Sequence, residues 1–199
     1  YRLAVEKLSA STDPKEKEIR KLAFEYLIAV YGPDKLNDFS KAEPVAKQLI
    51  SLDPNEPTSY HLLGRMYEDV GRYDEAEEML QKAISLRPND ALGYALLAGY
   101  YNRQGQFEKT IEAWKTRAKA EPSNPEAWHT IAVYYFEKVH RDTAWVKDNR
   151  AKALEYVIDG IDSENKALAL NPQYFEALSY KNILLRQQAL FEKDPAKQK

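Results

Sequence analysis

The amino-acid sequence predicts an all-α protein built as a solenoid of antiparallel helix pairs, and three observations predict it. Pro54, Pro88 and Pro122 stand 34 residues apart, each after an apolar-then-charged run ending Leu52-Asp53, Leu86-Arg87 or Ala120-Glu121. Between the prolines, Tyr60, Leu63, Gly64 and Tyr67 recur at i, i+3, i+4 and i+7, followed by a second stripe of Tyr73, Ala76, Leu80 and Ala83. Gly71, free to take the left-handed backbone that ends a helix, separates the two stripes. One period therefore holds one helical hairpin, and no stretch reads as a strand. Neither helix can bury its stripe alone, so successive hairpins must stack to complete the core.

Taken in order, residues 1–13 read as a partial helix carrying Leu3, Val5 and Leu8. Residues 14–54 form a first repeat that opens on Asp13-Pro14, an acidic cap followed by proline at the first helical position. Its first stripe is expected at Ile19, Leu22, Ala23 and Tyr26 and its second at Phe39, Ala42, Ala46 and Leu49, with seven extra residues between them around Gly32-Pro33-Asp34. Residues 55–88 and 89–122 are the regular copies. The latter keeps Tyr94, Leu97, Ala98, Tyr101, Gly105 and Phe107 but places Thr110, Trp114 and Arg117 in its second helix, so Trp114 is expected to fill space that its neighbours leave, with the face at Arg117 partly open. In residues 123–172 Trp128, Ile131, Ala132 and Tyr135 stay in register, but the closing proline comes 50 residues after Pro122, which leaves 16 extra. Residues 173–199 begin a further hairpin over Phe175 to Leu190 and end in a polar tail from Lys193.

The insertion falls near Lys138 to Arg150. Leu154, Val157, Ile158, Ile161 and Leu168 are expected to hold one face of a second helix that is two turns longer than its siblings and projects beyond the stack. Two readings stand here: a tolerated loop extension, or a docking insertion anchored by Trp145.

Composition narrows the function classes. The 199 residues are 44% hydrophobic, carry 30% charged residues of both signs and have a formal net charge of −2, so no broad basic field exists for nucleic acid or anionic lipid. Without cysteine there is no disulfide, thiolate nucleophile or thiolate metal site. No apolar run of membrane-spanning length and no leader follows from Tyr1, so a soluble chain is expected, with cytoplasmic and exported locations both compatible. His61, His129 and His140 are the whole imidazole inventory and show no metal-ligand spacing. Carboxylate pairs such as Glu68-Asp69 lie among Lys and Arg as on a solvated face, and no phosphate loop or serine elbow is present. No catalytic residue, metal or cofactor is expected. Of the 14 tyrosines, Tyr60, Tyr67, Tyr94, Tyr101 and Tyr135 fall on stripe positions and are expected in the core, while Tyr31, Tyr100 and Tyr134 are assigned to repeat junctions.

The segments Pro57-Thr-Ser-Tyr60-His-Leu-Leu63-Gly64-Arg-Met-Tyr67 and Gly71-Arg-Tyr73-Asp-Glu-Ala76, with Leu80, Ala83 and Pro88, resemble the tetratricopeptide-repeat (TPR) family, and Tyr67-Glu-Asp-Val-Gly71-Arg-Tyr-Asp-Glu-Ala76 and Gly99-Tyr-Tyr-Asn-Arg-Gln-Gly105 resemble its bacterial members. The resemblance runs over about residues 14 to 190 and implies a right-handed superhelix with a concave groove lined by the first helices. Carried over by position, the groove residues are Thr58, His61, Arg65, Glu68 and Asp69; then Leu92, Ala95, Gly99, Asn102 and Arg103; then Glu126, His129, Val133, Phe136 and Glu137. Chaperone-binding relatives hold a C-terminal carboxylate with Lys and Asn at the fifth and ninth of these helix positions, where this chain has His61 and Arg65. That clamp is not expected. The resemblance implies a scaffold that binds a peptide or partner protein. The alternative is a subunit that assembles head to tail into an oligomer or filament, because Leu3, Leu8, Leu178, Leu184 and Phe191 read as uncovered stripes at the two ends.

Overall fold

The computed structural model describes residues 1–32 and 35–192, and eleven helices with no strand lie among them. Pro33-Asp34 of the expected first insertion, and the polar tail from Lys193, lie outside the described residues. By contacts the chain divides into two compact units, one ending at Leu97 and the other beginning at Ala98.

The first unit contains α1 (Arg2–Lys7), α2 (Pro14–Tyr31), α3 (Phe39–Leu52), α4 (Pro57–Asp69), α5 (Tyr73–Leu86) and the start of α6 (Ala91–Arg103). Helix starts follow from capping chemistry. Asp13 accepts the amides of Lys15 and Glu16 ahead of Pro14, and Glu56 accepts that of Thr58 beside Pro57. The turn after α4 closes on Gly71 at φ +78°, with the Arg72 amide donating to the Tyr67 carbonyl at 2.8 Å. This is the reverse-wound C-terminus that glycine permits. Tyr60, Leu63, Gly64 and Tyr67 are buried as the spacing predicts, against Ala76, Leu80 and Ala83 of α5, whereas Tyr73 stays about half exposed.

The first repeat departs from the expected register. Ile19, Leu22 and Tyr26 are exposed, and the buried face of α2 is instead Arg20, Ala23, Phe24, Leu27, Ile28 and Tyr31. Phe24, Leu27, Ile28 and Tyr31 repeat the i, i+3, i+4, i+7 spacing of α4, so the turn to Phe39 holds two extra residues rather than seven. Asn37, at φ 48°, takes the left-handed place in this turn that glycine takes after α4. Glu43 of α3 then ties the repeats: it accepts the Tyr67 hydroxyl at 2.9 Å, pairs with Lys47 at 2.8 Å and meets Arg72 at 3.3 Å.

In the second unit α6 continues into α7 (Phe107–Ala120), α8 (Pro125–Arg141), α9 (Thr143–Asp148), α10 (Arg150–Leu170) and α11 (Phe175–Phe191). The α6–α7 turn repeats the device of α4, with Gly105 at φ +69° and Gln106 donating to the Tyr101 carbonyl at 2.9 Å. Trp114 is buried with the Arg117 guanidinium over its ring, so the face expected to be partly open is largely filled. Tyr100 is core.

The extra residues of the long repeat form the end of α8, the short α9 and a 21-residue α10, seven residues longer than α5 or α7. Its buried face is one residue off the predicted apolar stripe: Ala153, Tyr156, Val157, Gly160, Ser163, Glu164 and Ala167. Nor does the extra length project alone. Arg150, at the start of α10, donates to the carbonyls of Leu190 and Phe191 and lies over the Phe191 ring, so α11 runs alongside it.

Candidate functional site

The first helices α4, α6 and α8 each have a buried stripe and an outward set, and the outward sets hold some of the residues expected to bind. On α4, Thr58, Arg65 and Asp69 are exposed, with Arg65 Nε 3.5 Å from an Asp69 carboxylate oxygen, a weak surface pair. Thr58 donates its hydroxyl to Glu56 at 2.8 Å. Glu68 is half-buried and already engaged with a neighbour. His61 is drawn further in: its Nε2 is buried without a hydrogen bond, close to Gly93. Burial pushes its pKa below the ordinary imidazole value, partly opposed by Asp90 and Glu56. A Cβ at Gly93 would lie 3.0 Å from Ile84 Cγ1 but 3.9 Å from His61 Nε2, so the missing side chain makes room for Ile84.

Along α6, Leu92, Asn102 and Arg103 are exposed and Ala95 and Gly99 half-exposed. A side chain at Gly99 would meet the Arg103 guanidinium at 3.3 Å, so the missing Cβ makes room for that arginine. Asn102 also borders a pocket of about 230 Å³ in the second unit, lined by Phe107 and Tyr134 and by the charged Glu137, Lys138, Arg141 and Asp142. The sequence reading named Asn102 and Glu137 here but missed Lys138 and Arg141. The signal available was the basic last turn of α8, where cations complement the helix C-terminus.

On α8, Glu126 is exposed and Val133 half-buried, but His129 and Phe136 are occupied from within. His129 Nδ1 lies 2.9 Å from Glu164 Oε1, and its ring meets the edges or faces of Tyr174 and Tyr180 at 5.2 Å each. Glu164 is fully buried, its second oxygen has no partner, and burial raises its pKa above the ordinary carboxylate value despite the histidine. Phe136 packs against Tyr180 and stacks on His140. Glu137 pairs with Arg141 at 2.9 Å. Two residues expected in an open groove are therefore parts of an aromatic cluster between α8 and α11.

Trp145 is likewise not a free anchor. Its ring lies parallel to Tyr156 at 5.5 Å with the Lys138 ammonium 4.7 Å from its centre, so the insertion folds back on its own hairpin. Among the end residues, Leu3 and Leu178 are exposed, Leu8 and Phe191 intermediate, and Leu184 fully buried against Gly160. Leu184 belongs to the core of the second unit and not to an end surface. Among the described residues no His, Asp and Glu side chains gather as three metal ligands would, and no helix is long and apolar enough to cross a membrane.

Residues 35–100 match the family model described as "Tetratricopeptide repeat". No curated protein matches the sequence. Among solved structures, the chain is similar to a MamA protein at 17% identity, covering 86% of this chain and 84% of that one with a TM-score of 0.55. Two further MamA structures resemble it, one at 19% identity with 78% and 81% covered and a TM-score of 0.51, the other, MamA AMB-1, at 18% with 90% and 88% covered and a TM-score of 0.52. At such identities the likeness carries the fold. The chain is therefore a protein of the tetratricopeptide-repeat fold, and its residues 35–100 match the family itself.

Proposed function

We propose that this chain is a protein-interaction scaffold that captures a peptide or an exposed segment of a partner protein on the outward residues of its first helices. The observation that carries the reading is the division within α4 and α6. Their stripe residues are core, apart from the half-buried Tyr94, while Thr58, Arg65, Asp69, Leu92, Asn102 and Arg103 keep polar or apolar groups at the surface. Amide and guanidinium donors suit the carbonyls and carboxylates of an extended or helical peptide, and Leu92 offers an apolar contact. The pocket beside Asn102 is large enough for one side chain of the ligand.

The test begins with peptides selected from a random displayed library on the full chain. Replacing Arg65, Asn102 and Arg103 together with alanine is expected to weaken the selected peptides about ten-fold or more by calorimetry, with helical circular dichroism unchanged. Unaltered affinity in the triple variant, or a library that yields no binder, overturns the reading.

A further inference from the structure

The cavity among α1, α2 and α3 is used neither by the repeat pattern nor by the outward residues of α4 and α6. It measures about 310 Å³ and is bordered by Val5, Ser9, Arg20, Phe24, Gln48 and Leu52. A second cavity, of about 340 Å³, shares Val5, Phe24 and Gln48 with it. Helix α1 contributes Val5 to the lining of both, and none of its residues is buried.

At the wall of the cavity stands Arg20, only 8% exposed. Its Nη1 donates to the carbonyl of Leu8 at 2.9 Å and to that of Ser9, while Nε is buried with no partner. No Asp or Glu of the described residues pairs with it. A guanidinium keeps its charge at any physiological pH, and removing it from water without a counter-charge is unfavourable unless something compensates. Both carbonyls are taken by Nη1, and among the described residues no hydrogen bond engages Nη2 of the planar donor fork.

We propose that this cavity binds an organic carboxylate, with Arg20 as the counter-charge and Val5, Phe24 and Leu52 against the apolar body of the ligand. A free small acid and the carboxylate of a peptide share this chemistry. The site is separate from the peptide-binding residues proposed on α4 and α6.

The experiment titrates the full chain with hexanoate and with hexan-1-ol by calorimetry. Hexanoate is expected to bind about ten-fold or more tightly than the alcohol, because only the acid meets the guanidinium with a charge-assisted hydrogen bond. Arg20→Met should remove that preference. Val5→Trp, which fills the cavity and retains Arg20, should abolish binding and decides the matter alone if Arg20→Met fails to fold. The alanine triple variant at Arg65, Asn102 and Arg103 should bind hexanoate as the parent does, which separates failure of this site from failure of the peptide face. N-acetyl-Leu-Leu as free acid and as amide distinguishes the sources: an acid that binds more tightly than both its amide and hexanoate supports a peptide carboxylate, and one that binds more weakly than hexanoate supports a small acid. Equal binding of hexanoate and hexanol, unchanged binding in Val5→Trp, or no binding of either acid at millimolar concentration overturns the proposal.

Discussion

The hairpin α4–α5 and the hairpin α8–α10 place the same positions of one repeat in two different chemistries. His61 and His129 each stand four residues after the proline that opens their helix, and Leu80 and Glu164 each stand eight residues before the proline that closes their repeat. In the regular hairpin that position holds the buried Leu80, and His61 Nε2 is buried without a hydrogen bond near Gly93. The lengthened hairpin puts a carboxylate at that position and the histidine pairs with it. The tyrosines diverge in the same way: the hydroxyls of Tyr60 and Tyr94 reach back to the carbonyls of Pro54 and Pro88 at 3.0 Å, a tie that Trp128 does not make where the Lys166 ammonium lies over its ring. The difference teaches that the repeat fixes where a side chain goes and not what holds it there. Close approach of backbones organises α4 against α5, while a polar pair and stacked aromatics organise α8 against α10 and α11.

Two substitutions sharpen that contrast. The larger effect is expected at Gly64, where a Cβ would lie 3.2 Å from the Ala76 carbonyl oxygen and 3.3 Å from Met79 Cβ. Gly64→Leu should lower stability by about 1–3 kcal/mol in urea unfolding, because the extra branch has no space on the α5 side. Unchanged stability would mean that α4 and α5 do not depend on their close approach. A smaller and pH-dependent effect is expected at Glu164. Burial raises its folded pKa above the ordinary value of 4.5, so the folded state keeps a proton that the unfolded state releases. The stabilisation is complete below that ordinary value and is lost as pH rises through the folded pKa. Glu164→Gln retains an acceptor for His129 but cannot ionise. The stability of the parent relative to this variant should therefore fall as pH rises from about 4.5, measured by chemical denaturation across pH. A constant difference would show that Glu164 does not titrate differently on folding.

The period was legible because proline, glycine and a stripe of large and small residues recur every 34 positions, and each has a single structural use. The register of the first repeat was harder to read. Residues 19–31 offer two overlapping stripes, and Ile19, Leu22 and Tyr26 compete with Phe24, Leu27, Ile28 and Tyr31. Arg20 broke the apolar pattern on the face that is buried, and its carbonyl partners at the end of α1 are invisible to periodicity. The same blindness applies to α10. Its buried face is made of small residues and Glu164, so hydrophobicity pointed to Leu154 and Ile158 beside it. The exposed candidates Arg65, Asn102 and Arg103 could be named from helix position alone, whereas His129 and Phe136 could not be judged without α11, whose Tyr180 covers both.

The central claim, that first helices present the binding residues and second helices the support, is tested most directly by mapping amide chemical-shift changes when a library-selected peptide is added to the full chain. The account predicts changes concentrated at Thr58, Arg65, Asp69, Leu92, Asn102 and Arg103 on α4 and α6. Changes confined to α5, α7 and α10, with α4 and α6 unmoved, would contradict it.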